Sequence, residues 1–122
     1  MKKFFIALMI LSIFILPTKV FAEDIWISTE YDREGNKYDR YVITENINED
    51  LEQNFFTVPV KLVVNGNLAE TRTHIFCFVI KNWYARQNDT EGDLTFVNGN
   101  EFYKKIFDAC KRYSQLAQIH PR

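Results

Sequence analysis

Phe56-Thr57-Val58-Pro59-Val60-Lys61-Leu62-Val63-Val64-Asn65-Gly66-Asn67-Leu68-Ala69-Glu70-Thr71-Arg72-Thr73-His74-Ile75 decides the fold, because Asn65-Gly66 separates two runs of alternating character. Asn-Gly suits the two-residue type I′ turn, whose central residues both need positive φ. With those two residues as the loop, Phe56 faces Ile75, Val58 faces Thr73, Val60 faces Thr71, Leu62 faces Ala69 and Val64 faces Asn67. Thr57 with His74, Pro59 with Arg72 and Lys61 with Glu70 fill the other side. One face is then apolar and the other polar, as a half-buried antiparallel sheet requires, and a one-residue slip would mix them.

Toward the N-terminus, Lys37 to Thr44 alternates and carries Tyr38, Tyr41, Val42 and Ile43. Asp32-Arg33-Glu34-Gly35-Asn36 is a polar turn joining it to a first strand, Asp24 to Glu30, with Ile25, Trp26 and Ile27. Asn46 to Gln53 is polar apart from Ile47 and Leu51, and reads as a loop or a short helical turn.

Toward the C-terminus, Phe76 to Ile80 is almost wholly apolar, the pattern of a strand covered on both faces or central in its sheet. Trp83 to Arg86 continues that strand or bends away, Asn88 to Asp93 is a turn-rich loop, and Leu94 to Val97 suits a last short strand. Asn98 is placed to cap a helix, with Glu101 in a capping-box position. From Phe102, apolar residues recur at Ile106, Ala109, Cys110, Tyr113 and Ala117 as one helical stripe, and His120-Pro121-Arg122 is expected to fray. The expected fold is α+β: one antiparallel β-meander of about five strands with a C-terminal helix packed on one face.

The first residues place Lys2 and Lys3 before an apolar run from Phe4 to Leu16, and Val20-Phe21-Ala22 precedes Glu23-Asp24. This order of basic, apolar and small-residue regions is that of a secretory signal peptide, with cleavage expected between Ala22 and Glu23. The apolar run is shorter than the roughly 20 residues a spanning helix needs. Residues 23–122 then form a single exported domain, destined for periplasm, cell surface or medium. Removing Lys2, Lys3 and Lys19 takes the net charge from −1 to −4. Such a chain lacks the basic footprint that phosphate backbones select, so nucleic acid is not an expected partner.

Two cysteines, Cys77 and Cys110, lie in that exported part. In an oxidising compartment a small domain uses such a pair as a staple, and a Cys77–Cys110 disulfide is expected. In the expected register Cys77 shares the parity of Ile75 and lies under the helix stripe that holds Cys110.

Candidate chemistry is sparse. His74 and Cys77 are three apart in a strand and project to opposite faces, which defeats a thiol dyad. Two histidines and two distant cysteines give no zinc spacing, and no Walker loop, nucleophile elbow or dinucleotide fingerprint occurs. Asn88-Asp89-Thr90 matches a glycosylation sequon, and the loop from Asn88 to Asp93 holds carboxylates suited to calcium without an EF-hand's ligand order. No cofactor, metal or catalytic residue is therefore assigned. Trp26, Tyr31, Tyr38, Tyr41, Trp83 and Tyr84 remain as a candidate interaction surface, since Tyr and Trp anchor interfaces.

Trp26 in a first strand, the run Tyr41-Val42-Ile43-Thr44-Glu45-Asn46-Ile47, two long central strands, one strand cysteine and one helix cysteine together resemble the surface-adhesin protein E family of small exported bacterial proteins. The resemblance implies an antiparallel sheet with a packed C-terminal helix and a non-catalytic envelope role, with adhesion to host matrix in the naming members. The chain departs from that pattern with Ile43 where the family has Asp, and it has no cysteine near position 23 to acylate. The expected function is an exported, monomeric, non-enzymatic binding protein of the cell envelope with an unknown protein or surface partner. A small inhibitor of a hydrolase such as lysozyme is the alternative reading, because an acidic domain suits a basic target.

Overall fold

The computed structural model describes residues 24–88 and 92–122. The expected signal peptide and its Ala22–Glu23 junction lie outside the described residues, as does most of the sequon. The strands are β1 (Asp24–Tyr31), β2 (Lys37–Ile43), β3 (Asn48–Asp50), β4 (Phe55–Val64), β5 (Asn67–Val79), β6 (Asn82–Gln87) and β7 (Thr95–Phe96). Two helices follow, α1 (Glu101–Cys110) and α2 (Gln115–Ile119). All pairings are antiparallel, in the order β1-β2-β4-β5-β6-β7 with β3 also on β4, and the sheet curls into a half-barrel. The α+β class stands, but the sheet has seven strands.

The extra strand comes from the segment read as a loop. The chain leaves β2 through a 3-10 turn at Thr44–Asn46 and returns to the same edge of β4 as β3. Val58 and Pro59 of β4 fall in the gap between those two ladders. A proline inside a strand removes a ladder donor. The interruption opposite Pro59 is where that loss costs least.

The Asn65-Gly66 turn forms as expected, with φ of 51° and 83°, and Val64↔Asn67 and Val63↔Leu68 keep the expected register. The next pair is Leu62↔Glu70, so Ala69 is an extra, unpaired residue and every later partner shifts by one. Phe56 faces Phe76 rather than Ile75, and Val58 faces His74 rather than Thr73. The inward residues of β5 are consequently His74 and Phe76, both buried.

This bulge corrects two expectations. Cys77 pairs with Phe55 and Tyr84 on the outer face, while Cys110, the last residue of α1, is buried in the core, and both are free thiols. The expected Cys77–Cys110 disulfide is absent because Ala69 turns Cys77 away from the helix. His74, expected on the polar face beside Thr57, instead lies edge-on to Phe102 and Tyr103 at 5.8 and 5.7 Å between ring centres. His74 and Cys77 do project to opposite faces.

Burial pushes both thiols above their ordinary pKa; nearby Glu49 adds to the rise at Cys110, and Arg86 opposes it at Cys77. Because the thiolate is the nucleophile, native protein treated with iodoacetamide is expected to label slowly at Cys77 and at Cys110 only after unfolding. Mass measurement showing rapid double labelling, or no labelling even in denaturant, would contradict this arrangement.

The core lies between the inner sheet face and the helices. Phe56, Val58, Phe76, Trp83, Ala85 and Val97 meet Ile106, Phe107, Cys110, Leu116 and Ala117 there. Phe56 stacks on Phe76 at 5.1 Å, and Trp83 packs on Phe107 at 5.0 Å. The helix begins two residues later than expected. Val97–Gly99 forms a 3-10 turn, and Asn100, not Asn98, caps α1 by accepting from the Tyr103 N–H at 3.0 Å.

The single expected helix is broken after Cys110. Ser114 takes an extended conformation and caps α2 through the Ala117 N–H at 3.1 Å. Its own hydroxyl donates to the Glu49 carboxylate, which also accepts the Leu116 N–H at 3.2 Å. Glu49 pairs with Phe56 and so points to the helix side. This carboxylate thus ties β3 to the junction between the helices.

The final residues are held rather than frayed. The His120 ring stacks on Phe78 at 4.1 Å, and its carbonyl accepts the buried Trp83 N–H at 2.6 Å. Arg122 makes a two-pronged contact with Asp108 at 2.9 and 2.6 Å, which raises its own pKa.

Candidate functional site

The six aromatic residues of the expected interaction surface separate into distinct environments. Trp83 is core, at 2% exposure, and is removed from the surface. Tyr84 lies on the outer face but leans on Phe96 at 5.8 Å, far along the sheet from β1. Tyr38 has the parity of Arg40 and Val42 on the inner side, and its hydroxyl donates to Asp32 at 3.0 Å. Asp32 also accepts from Asn36, chiefly its side chain, and these bonds hold its carboxyl below the usual range.

Trp26, Tyr31 and Tyr41 remain together on the outer, convex face of β1 and β2, where Trp26 pairs with Tyr41 and Tyr31 with Lys37. Trp26 is 56% exposed and Tyr31 67%. A second bulge builds this face: Trp26↔Tyr41 is followed by Ser28↔Arg40, leaving Ile27 unpaired and turned into the core. In a regular strand residues three apart project to opposite faces. With Ile27 inserted, Trp26 and Thr29 share one.

The indole Nε1–H accordingly donates to Thr29 Oγ1 at 2.7 Å, and the Thr29 hydroxyl donates to the buried carboxylate of Asp39. Lys37 Nζ stands 3.6 Å from the other Asp39 oxygen. A buried carboxylate is tolerable when charge and hydrogen bonds compensate it. Beside this relay, Lys61 lies over the Tyr41 ring at 5.4 Å and pairs with Asp24. The result is an indole oriented through its polar atom, with more than half of the residue's surface exposed.

The inner face offers a second feature, set by element lengths. Ten residues of helix reach about 15 Å, whereas the thirteen of β5 reach about 43 Å. Near the Asn65-Gly66 end the concave face is therefore left uncovered. The resulting trough has two lobes, of about 340 Å³ and 430 Å³, that share Arg40 and Phe102.

One lobe is floored by Val60 and Leu62 and walled by Arg72, His74 and Gln87. The other runs past Glu30 and Lys105. Arg40 contacts Glu30 at 3.5 Å, while Arg72 contacts Glu70 at 3.1 Å and Gln87 at 3.2 Å. Sequence reading missed the trough because its members come from five strands and one helix.

Among the described residues no three His, Cys, Asp or Glu side chains are grouped to hold a metal, and no helix is long and apolar enough to cross a membrane. The loop considered for calcium runs through residues outside the description. Comparison with known proteins gives no matching family model, no matching curated protein and no matching solved structure.

Proposed function

We propose that the protein is an exported, non-enzymatic binding module of the bacterial cell envelope that recognises its partner through the convex face around Trp26. The carrying observation is the indole that is 56% exposed yet oriented by the Thr29–Asp39 relay. Ordering side chains is one of the costs of association, and a ring already fixed before contact avoids it. Tyr41 and Tyr31 extend the same face, and Asp24 and Lys61 supply a polar margin. Export is supported by the leader pattern of residues 1–22.

Cell fractionation and immobilised protein test this reading together. The protein is expected outside the cytoplasm, shortened by 22 residues if cut after Ala22, and retaining a component of envelope extract or host matrix. Trp26→Ala should weaken that retention at least about tenfold, as for an interface anchor. Its unfolding free energy should fall by no more than about 1–2 kcal/mol, the cost of one hydrogen bond and partial burial, leaving the variant folded. Equal retention by parent and variant would remove the convex face from the proposal, and cytoplasmic residence of the full-length chain would remove export.

A further inference from the structure

We propose that the concave trough is a second binding site, for a small amphiphile carrying one oxyanion, carboxylate or phosphate, on an apolar body. It is separate from the convex face. The lobes, about 340 and 430 Å³, have the size of small-molecule sites; Val60 and Leu62 give the first an apolar floor in an otherwise polar lining, and Phe102 is shared with the second, the more apolar of the two.

The depth of the charges sets the sign of the ligand. Where the lobes meet, the Arg40 side chain is 30% exposed and its partner Glu30 69%. The cation is thus seated within the trough and the carboxylate stands at its rim. Glu101 is likewise an outer group, paired with Lys104. In the first lobe Arg72 and Glu70 are paired and similarly exposed, at 49% and 44%, and offset each other, so the seated Arg40 guanidinium where the lobes meet sets the preference for an anion.

Arg40 holds Glu30 through one nitrogen at 3.5 Å, an exposed contact of the kind that contributes little. A guanidinium has five N–H donors and receives an oxyanion best through two parallel bonds. An entering carboxylate or phosphate would replace Glu30 on Arg40 and release the glutamate to solvent. Arg72, which lines the first lobe, engages Glu70 through Nε and Gln87 through Nη1, and among the described residues its Nη2 group is left for the same ligand. The apolar body would lie along Leu62 and Val60 against Phe102.

The test is an NMR titration of the folded protein with hexanoate, hexyl phosphate and the neutral hexanamide. Hexanoate or hexyl phosphate should shift the Arg40 and Arg72 Nε–H signals and bind at least about tenfold more tightly than hexanamide. Which of the two binds better identifies the oxyanion. Arg40→Gln should weaken anion binding about tenfold, and Glu30→Gln, which removes the competing carboxylate, should tighten it about threefold. Glu30 is a rim residue, so its variant keeps the test valid even if Arg40→Gln perturbs the fold. Equal affinity for hexanamide, no shift at millimolar ligand, or a Glu30→Gln variant that binds less tightly would overturn the proposal. None of these results bears on the Trp26 face, whose retention assay stands alone.

Discussion

Trp83→Ala is expected to destabilise the fold by about 3–5 kcal/mol, enough to leave a domain of this size marginal or unfolded. The indole is 2% exposed and touches rings from three directions, with Phe107, Phe78 and Phe56 at 5.0, 5.4 and 5.5 Å. Alanine would leave a cavity bounded by strands and helix that cannot both move inward. It would also strand the His120 carbonyl, which accepts the indole N–H. Trp83→Phe separates the two effects: it keeps most of the ring and loses the donor, at a cost near 1–3 kcal/mol. Urea unfolding of both variants measures the difference, and a loss under about 1 kcal/mol for alanine would mean that Trp83 is not in the core.

Glu49→Ala is expected to cost about 2–4 kcal/mol although Glu49 sits in a stretch that reads as a polar loop. The Ser114 hydroxyl, fully buried, and the Leu116 N–H both use this one carboxylate. Leaving a buried donor unsatisfied costs about 1–3 kcal/mol, and here there are two. Glu49→Gln retains an acceptor oxygen at the same reach and should restore more than half of the loss. The contrast is diagnostic: if glutamine is as damaging as alanine, charge rather than the acceptor geometry holds β3 to the helices. Stability equal to the parent in both variants would show that the clamp does not form in solution.

Local chemistry made most of the elements legible. Asn65-Gly66 fixed its turn, the alternation of Lys37 to Ile43 fixed β2, and Asn100 with its neighbours started a helix close to the expected place. What could not be read is where a single residue is inserted. Ala69 carries no signature of a bulge, since an unpaired alanine in this conformation needs neither glycine nor positive φ. One hidden insertion exchanged His74 for Thr73 and Phe76 for Ile75 on the inner face, and with them the position of Cys77. Ile27 did the same for Trp26 and Thr29. The break at Ser114 was invisible for another reason: helical periodicity runs on through it, and the partner that stabilises the break lies 65 residues away. The candidate surface was legible as a composition of aromatics but not as a place, because whether a tryptophan faces solvent depends on parity in the finished sheet.

The two tryptophans end in opposite surroundings, one sealed among phenylalanines and the other spread over a polar relay at the surface. Excited together, they emit from different dielectric environments, so the molecule carries two native fluorophores with separate duties. With Trp26 at 56% exposure and Trp83 at 2%, iodide is expected to quench the first and not the second, and loss of blue-shifted emission to follow the opening of the interior. Occupation of the outer face and melting of the core are therefore distinguishable optically in a single unlabelled sample.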